Sequence, residues 1–291
     1  AMYMSAVMYF AGSGSPVNKS KALEYFKMAA SRGHTKGASS AAQMLNSGDG
    51  APVNQKEAAK YFKQAADAGH VPSMHSYANM LRDGLGIPIN RPEGLKYYKM
   101  AADRGDVNSM YLYAWILHNG EDVPVNKPEA VKYYKKAIDE FEDAQSMTNY
   151  ALMMQAGDTV PMDKKKAAEY FRIAADKGNN LAMVQYGLAL IDGEGVQMNK
   201  KEGVRYVKMA ADEGFLLGWY EYALILLHGD GVEKDAAKAA SYFKLAADKG
   251  LSRAISIYAQ MLENGTGIPA NPQEAARYYL MLSYSQPIID Y

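Results

Sequence analysis

Five histidines, His34, His70, His75, His118 and His228, are the side chains here best suited to hold a metal ion or move a proton near neutral pH. A helical metal motif needs two of them four residues apart, so that both imidazoles leave one face. No pair has that spacing; His70 and His75 are five apart and straddle a helix start. His34 and His70 stand 36 residues apart at one point of an internal repeat, which makes them marks of the repeat rather than of a site. With no cysteine, thiolate nucleophiles, zinc–thiolate sites and disulfides are excluded. No Gly-x-Ser-x-Gly elbow presents a serine nucleophile. Neighbouring carboxylates such as Glu140 and Glu142 lie in charge-rich stretches that read as solvated. Gly-x-Gly loops such as Gly84-Leu85-Gly86 would cradle phosphate if a strand came before and a helix with a third glycine after. Here each pair follows a helix and recurs. The expectation is a protein with no catalytic residues, no cofactor and no metal.

What positions these residues is a ruler written along the chain. Ala101-Ala102-Asp103-Arg104-Gly105 recurs at 29–33, 65–69, 174–178, 210–214 and 246–250. The aromatic pair Tyr97-Tyr98 recurs as Tyr25-Phe26, Tyr61-Phe62, Tyr133-Tyr134, Tyr170-Phe171, Tyr242-Phe243 and Tyr278-Tyr279, with Tyr206-Val207 the one lapse. The period is 36 residues, except 37 between Tyr133 and Tyr170. A fixed period of this size signals stacked supersecondary units.

Each unit reads as two helices. Helix A ends at a glycine pair, whose first member takes the left-handed conformation that closes a helix. Six residues past that glycine stands an N-cap for helix B: Asn18, Asn54, Asn90, Asn126, Asp163, Asn199, Asp235 or Asn271. Glu57, Glu93, Glu129, Glu202 and Glu274 follow three residues later, as in a reciprocal capping box. Pro92, Pro128 and Pro272 are expected at the first helical position. Helix B carries the aromatic pair and stops at the glycine of Ala-Ala-Asp-x-Gly. In helix A, Tyr77, Tyr113, Tyr150, Tyr186, Tyr222 and Tyr258 each precede a small residue, the large-beside-small pattern of packed helices.

Composition narrows the function classes. The 291 residues balance 32 basic against 32 acidic side chains, so no long-range field attracts nucleic acid or anionic lipid. Apolar runs such as 222–227 fall far short of the ~20 residues a membrane helix needs, so no insertion is expected. The absence of cysteine fits a reducing compartment, which favours the cytoplasm. The chain opens inside a repeat, Met2 aligning with Met74 and Met110, so segments preceding Ala1 are expected.

The glycine loops, the Asn/Asp N-cap and the Tyr-Tyr/Phe-Lys-x-Ala-Ala-Asp-x-Gly stretch resemble the Sel1-like repeat family, relatives of the tetratricopeptide solenoids. The resemblance covers nearly the whole chain as repeats at about 1–34, 35–70, 71–106, 107–143, 144–179, 180–215, 216–251 and 252–284, with a tail at 285–291. It implies an all-α, right-handed α/α superhelical solenoid of helix pairs that works as an adaptor or scaffold. Family settings run from membrane-associated protein quality control to bacterial host interaction. Cysteine-rich members carry a disulfide in each repeat, and this chain is not of that kind. Departures from the pattern gather in the middle. Ile138-Asp139-Glu140-Phe141 replaces the usual helix stop, and one residue is inserted before Met147. The neighbouring loops lose their second glycine, giving Gly120-Glu121-Asp122 and Gly157-Asp158-Thr159. Helix B is expected to run on there, with a bend or irregular stacking near 138–147, a rigid kink more than a hinge.

The informative residues are those the repeat leaves free. Met110, Tyr113, Ala114, Ile116 and Leu117 occupy one arc of their helix, and Tyr111, Trp115 and His118 the other. By analogy with tetratricopeptide solenoids the second arc should line a concave groove. His75, Asn79 and Arg82 make it polar in the third repeat. Trp115, Leu152, Leu188 and Leu224 then read as an apolar ridge, with Val184, Tyr220 and Leu227 beside it. The leading expectation is a scaffold that binds a protein or peptide segment there. The alternatives are a structural subunit docking through its convex face or chain ends, Ile288 and Ile289 included, and a cell-wall-fragment-binding or hydrolytic protein. Oligomeric state is left open by the sequence.

Overall fold

Alternating caps turn the repeat into alternating helices. A computed structural model describes residues 1–14 and 16–284. The tail at 285–291, with Ile288 and Ile289, lies outside the described residues. The A helices are α1 (Met2–Ala11), α3 (Thr35–Ser47), α5 (Val71–Asp83), α7 (Val107–Asn119), α9 (Ala144–Ala156), α11 (Asn180–Asp192), α13 (Leu216–His228) and α15 (Ser252–Asn264). The B helices are α2 (Lys19–Ser31), α4 (Gln55–Asp67), α6 (Arg91–Ala102), α8 (Lys127–Phe141), α10 (Lys164–Asp176), α12 (Lys200–Asp212), α14 (Ala236–Asp248) and α16 (Pro272–Tyr284). No strand occurs among the described residues. The protein is an all-α repeat solenoid. It divides into two compact units, Ala1–Phe141 and Glu142–Tyr291, and the division falls inside the irregular stretch.

Every B helix starts on its N-cap. Asn18, Asn90, Asp163 and Asp235 accept from the backbone N–H three residues on, at 2.9–3.1 Å. Pro272 opens α16, while Pro92 and Pro128 stand one residue inside the first turn, where an N–H also lacks an intrahelical acceptor. The capping box is not the reciprocal one. The N–H of Asn54 donates to the Leu45 carbonyl at 2.8 Å, and that of Asn90 to Leu81 at 2.8 Å. With the N–H taken by helix A, the glutamate receives the asparagine amide instead: Asn90 Nδ2 to Glu93 at 3.0 Å, Asn199 Nδ2 to Glu202 at 3.0 Å. The cap residue therefore ties its own helix pair together as well as starting a helix.

Between the pair, the buried alanines let backbones approach, and tyrosine rings meet edge to face: Tyr77 and Tyr97 at 4.9 Å, Tyr186 and Tyr206 at 5.0 Å, Tyr258 and Tyr278 at 4.8 Å. From repeat to repeat, the same B-helix tyrosines reach back to the aspartate of Ala-Ala-Asp. Tyr97 donates to Asp67 at 2.6 Å, Tyr206 to Asp176 at 2.9 Å and Tyr278 to Asp248 at 2.6 Å, and Tyr133 bonds Asp103. Lys63, Lys99 and Lys244 pair with the same carboxylates from one helical turn before, at 2.6–2.8 Å. Burial and the bond to the carboxylate push Tyr97 and Tyr278 up to about 12, so they stay donors.

In the middle, the expected extension is present and its mechanism is visible. Gly105 and Gly178 end their helices with φ of 91°. Phe141 stays helical, and the left-handed residue moves one place on, to Glu142 at φ 49°. Asp122 and Thr159 hold the second-glycine position at φ 52° and 67°. The loops thus keep their course without glycine, at a conformational cost highest for β-branched Thr159. Thr159→Gly should raise stability by about 0.5–1 kcal/mol, the αL relief less the chain entropy of glycine. The converse, Gly195→Thr, should lower it by about 3 kcal/mol, since a Cβ there would strike the Lys164 backbone. Urea unfolding midpoints check both; equal midpoints for Thr159→Gly and the native protein would count against the strain.

Candidate protein-binding face of the A helices

In the first unit, the residues left free by the repeat sit half-buried on α5 and α7. On α5, Arg82 is held by a fork of hydrogen bonds to Asp83, 2.7 Å from Nε and 3.0 Å from Nη2. Asn79 accepts from the hydroxyl of Tyr98, a fully buried side chain of α6. His75 packs against the Tyr98 ring at 5.8 Å and reaches α7, with Nδ1 2.9 Å from Ser109 Oγ and 3.4 Å from Asp106 Oδ1. On α7, the rings of Tyr111 and His118 flank that of Tyr134 at 6.4 and 6.3 Å. Trp115 lies between them along the helix and is half-buried.

The Ser109–His75–Asp106 group has the residue types of a nucleophilic triad but not its geometry. A triad places carboxylate and serine on opposite imidazole nitrogens. Here both meet Nδ1, and Ser109 is wholly buried. Asp106 is the N-cap of α7, accepting from the Ser109 N–H at 2.7 Å. Its chemistry is therefore structural. No group of three or more His, Asp or Glu able to hold a metal occurs among the described residues.

In the second unit, Leu152 on α9, Leu188 on α11, and Tyr220, Leu224 and Leu227 on α13 are each half-buried. Tyr220 meets Phe243 edge to face at 5.9 Å, and Leu224 and Leu227 lean on the core around Phe243 and Ile255. Val184 is not part of this surface. It is 0% exposed, and Ile191 on the same face is 6% exposed. Ile191 packs against α12, where a Cβ on Gly203 would meet its Cγ1 at 2.7 Å, and α11 also touches α13.

Sequence reasoning missed the His75–Asp106 link and the Asn79–Tyr98 bond. The signal for the second was present: tyrosine replaces phenylalanine at 98, and the polar Asn79 stands where Leu152, Leu188 and Leu224 stand in other repeats.

These features define a helical repeat protein whose A-helix face varies over a fixed frame. The Sel1 repeat model matches residues 1–34, 38–70, 71–106, 107–140, 144–179, 180–215, 219–251 and 252–284, so the chain belongs to the Sel1 repeat family. Among solved structures it is similar to c5321, a protective antigen of uropathogenic Escherichia coli strains displaying an SLR fold. That likeness has a TM-score of 0.76 and 21% identity, covering 97% of this chain and 61% of that one. A Sel1 repeat protein from Oxalobacter formigenes gives a TM-score of 0.76 at 22% identity, covering 87% of this chain and 99% of that one. The immunity protein Pa5087 of Pseudomonas aeruginosa gives 0.51 at 22%, covering 74% and 81%. At these identities the likeness speaks to the fold. This chain spans about three fifths of the c5321 structure's length. Among curated protein sequences, none matches it. No helix of the described residues is long and apolar enough to cross a membrane.

The Asp106 carboxyl is partly buried, which would raise its pKa, yet bonds from His75 and Ser109 hold it at about 2. A carboxyl depressed in the folded state stabilises above the ordinary carboxylate range and loses that contribution as pH falls from about 4 to about 2. Asp106→Asn keeps the cap but not the charge. It should therefore lose about 1 kcal/mol less stability than the native protein between pH 5 and pH 2. Denaturant titrations at both pH values check this, and parallel losses would dismiss the link.

Proposed function

We propose that this protein is a non-enzymatic scaffold that holds a protein or peptide segment on the exposed face of its A helices. Sel1 and tetratricopeptide-like repeats generally mediate protein–protein interactions, and the family is typically non-enzymatic. One observation carries the finer reading. At a single repeat position, Trp115 in the first unit and Leu152, Leu188 and Leu224 in the second are large, apolar and only half-buried. Residues two positions away on the same helices, Tyr113, Met154, Leu190 and Leu226, are buried at 4–7% exposure. Large apolar side chains kept at the surface of each unit, over a core that buries their neighbours, support contact with a partner. His75, Asn79 and Arg82 would add polar selectivity in the first unit, and Tyr111, His118, Tyr220 and Leu227 further contact.

Trp115→Ala should weaken partner binding by about 2 kcal/mol, because interface energy concentrates in tryptophan, tyrosine and arginine. Leu188→Gln tests the second unit in the same way. Partners captured from lysate by the native protein are compared with those held by each variant, after circular dichroism confirms folding. Loss from the variants supports the reading. Full retention by both would place binding elsewhere on the protein.

A further inference from the structure

An open cleft of about 290 Å³ lies between the first two A helices, and none of the residues assigned above lines it. Tyr3, Val7 and Phe10 on α1 form an aromatic and apolar wall, with Phe26 of α2 behind them. The opposite wall, on α3, carries Ser40 and Gln43. The Tyr3 ring is braced, stacked on His34 at 4.5 Å and tilted against Phe26 at 5.6 Å. The Lys19 ammonium stands 5.7 Å from the centre of the Phe10 ring and 2.7 Å from Asp49, so the charges beside the cleft cancel each other. Ser47 is committed to the Gln43 carbonyl at 2.9 Å. The Gln43 amide and the Ser40 hydroxyl make no hydrogen bond among the described residues.

This chemistry selects its occupant. The volume sits at the small end of the roughly 300–1,000 Å³ of ligand pockets, enough for one ring and not for a nucleotide or a drug-sized cofactor. No cation lines it among the described residues, and Lys19 beside it is paired with Asp49, which disfavours phosphate or a carboxylate. One apolar wall facing one uncommitted amide and hydroxyl suits a ring with a hydrogen-bonding edge. We propose that the cleft is a pocket for a tyrosine side chain presented by a partner protein. Tyr3 and Val7 occupy the repeat positions of Tyr111 and Trp115, so the cleft opens on the same helix face. That the ring belongs to a partner chain rests on the scaffold reading; that the cleft accepts such a ring does not.

The test uses the whole chain, methyl-labelled at valine and methionine, titrated with N-acetyl-L-tyrosinamide and with N-acetyl-L-alaninamide as control. Saturable shifts at Val7 and Met44 with the tyrosine probe alone are expected. Gln43→Ala, on an exposed helix surface, should weaken the probe about three- to tenfold, the loss of one neutral hydrogen bond. Ser40→Leu should fill the cleft and abolish binding, while Trp115→Ala should leave it unchanged. No saturable shift, or shifts that survive both Gln43→Ala and Ser40→Leu, would overturn the pocket. The same tyrosine placed inside a ten-residue Gly-Ser peptide should bind at least as tightly as the free amide. Binding of the amide but not of the peptide would overturn the partner side chain and leave a site for a free aromatic molecule. Loss of lysate partners in Trp115→Ala bears on the scaffold reading only, so the two can fail separately.

Discussion

The approach of one loop to the helix of the preceding repeat sets the spacing of everything else. The second glycine of five intact Gly-x-Gly loops, Gly50, Gly86, Gly195, Gly231 and Gly267, at φ 72–86°, lies on the first residues of the preceding B helix. A Cβ at Gly50 would stand 2.7 Å from the Lys19 carbonyl oxygen. Across the same junction Lys19 pairs with Asp49 at 2.7 Å, Lys164 with Glu194 at 2.9 Å and Lys200 with Asp230 at 3.1 Å. At the other end of the B helix the tyrosine-to-aspartate bond fixes a second point. Exposed ion pairs contribute little stability each. Two fixed points per helix, however, leave a repeat little freedom to slide, and burial of the alanine seam then supplies the energy.

Because the B helices and loops carry these constraints, the outer arc of each A helix is released from them. Its residues vary while the frame does not. His75, Asn79 and Arg82 occupy positions held by Val184, Leu188 and Ile191 in the sixth repeat and by Tyr220, Leu224 and Leu227 in the seventh. The first unit presents a hydrogen-bonded polar and aromatic surface; the second presents leucines. The fold thus tolerates different side chains on this arc without change to the frame.

Local rules made most of the fold legible. N-caps, left-handed glycines and the aromatic pair act within a few residues, so period and helix limits follow from the sequence. What stayed hidden depends on contacts across a repeat. The capping glutamates take the asparagine amide rather than its backbone N–H because the N–H of Asn54 and Asn90 is claimed by a carbonyl of the preceding helix. Helix periodicity assigns Val184 to the outer face but does not say what covers it. His75 and Asp106, 31 residues apart, show no local pattern at all. Asp122, Glu142 and Thr159 show the opposite limit: a missing glycine does not abolish a left-handed turn when both flanking helices require it.

Tyr98 and Tyr134 bear most directly on use. Both hydroxyls are buried at one repeat position, where most other repeats place phenylalanine or valine. The Tyr98 hydroxyl bonds Asn79. At the position of Asn79 the next repeat has Trp115, which offers no acceptor on its ring, and the Tyr134 hydroxyl is left without a hydrogen-bond partner. Burial pushes its pKa up, so the proton stays on and the donor goes unused. An unsatisfied buried hydroxyl costs about 1–3 kcal/mol. Stability alone would favour phenylalanine at 134 or asparagine at 115, and each solution occurs elsewhere in this chain at the equivalent position. A half-buried indole at 115 together with an unsatisfied phenol at 134 is a local conflict that stability alone does not account for.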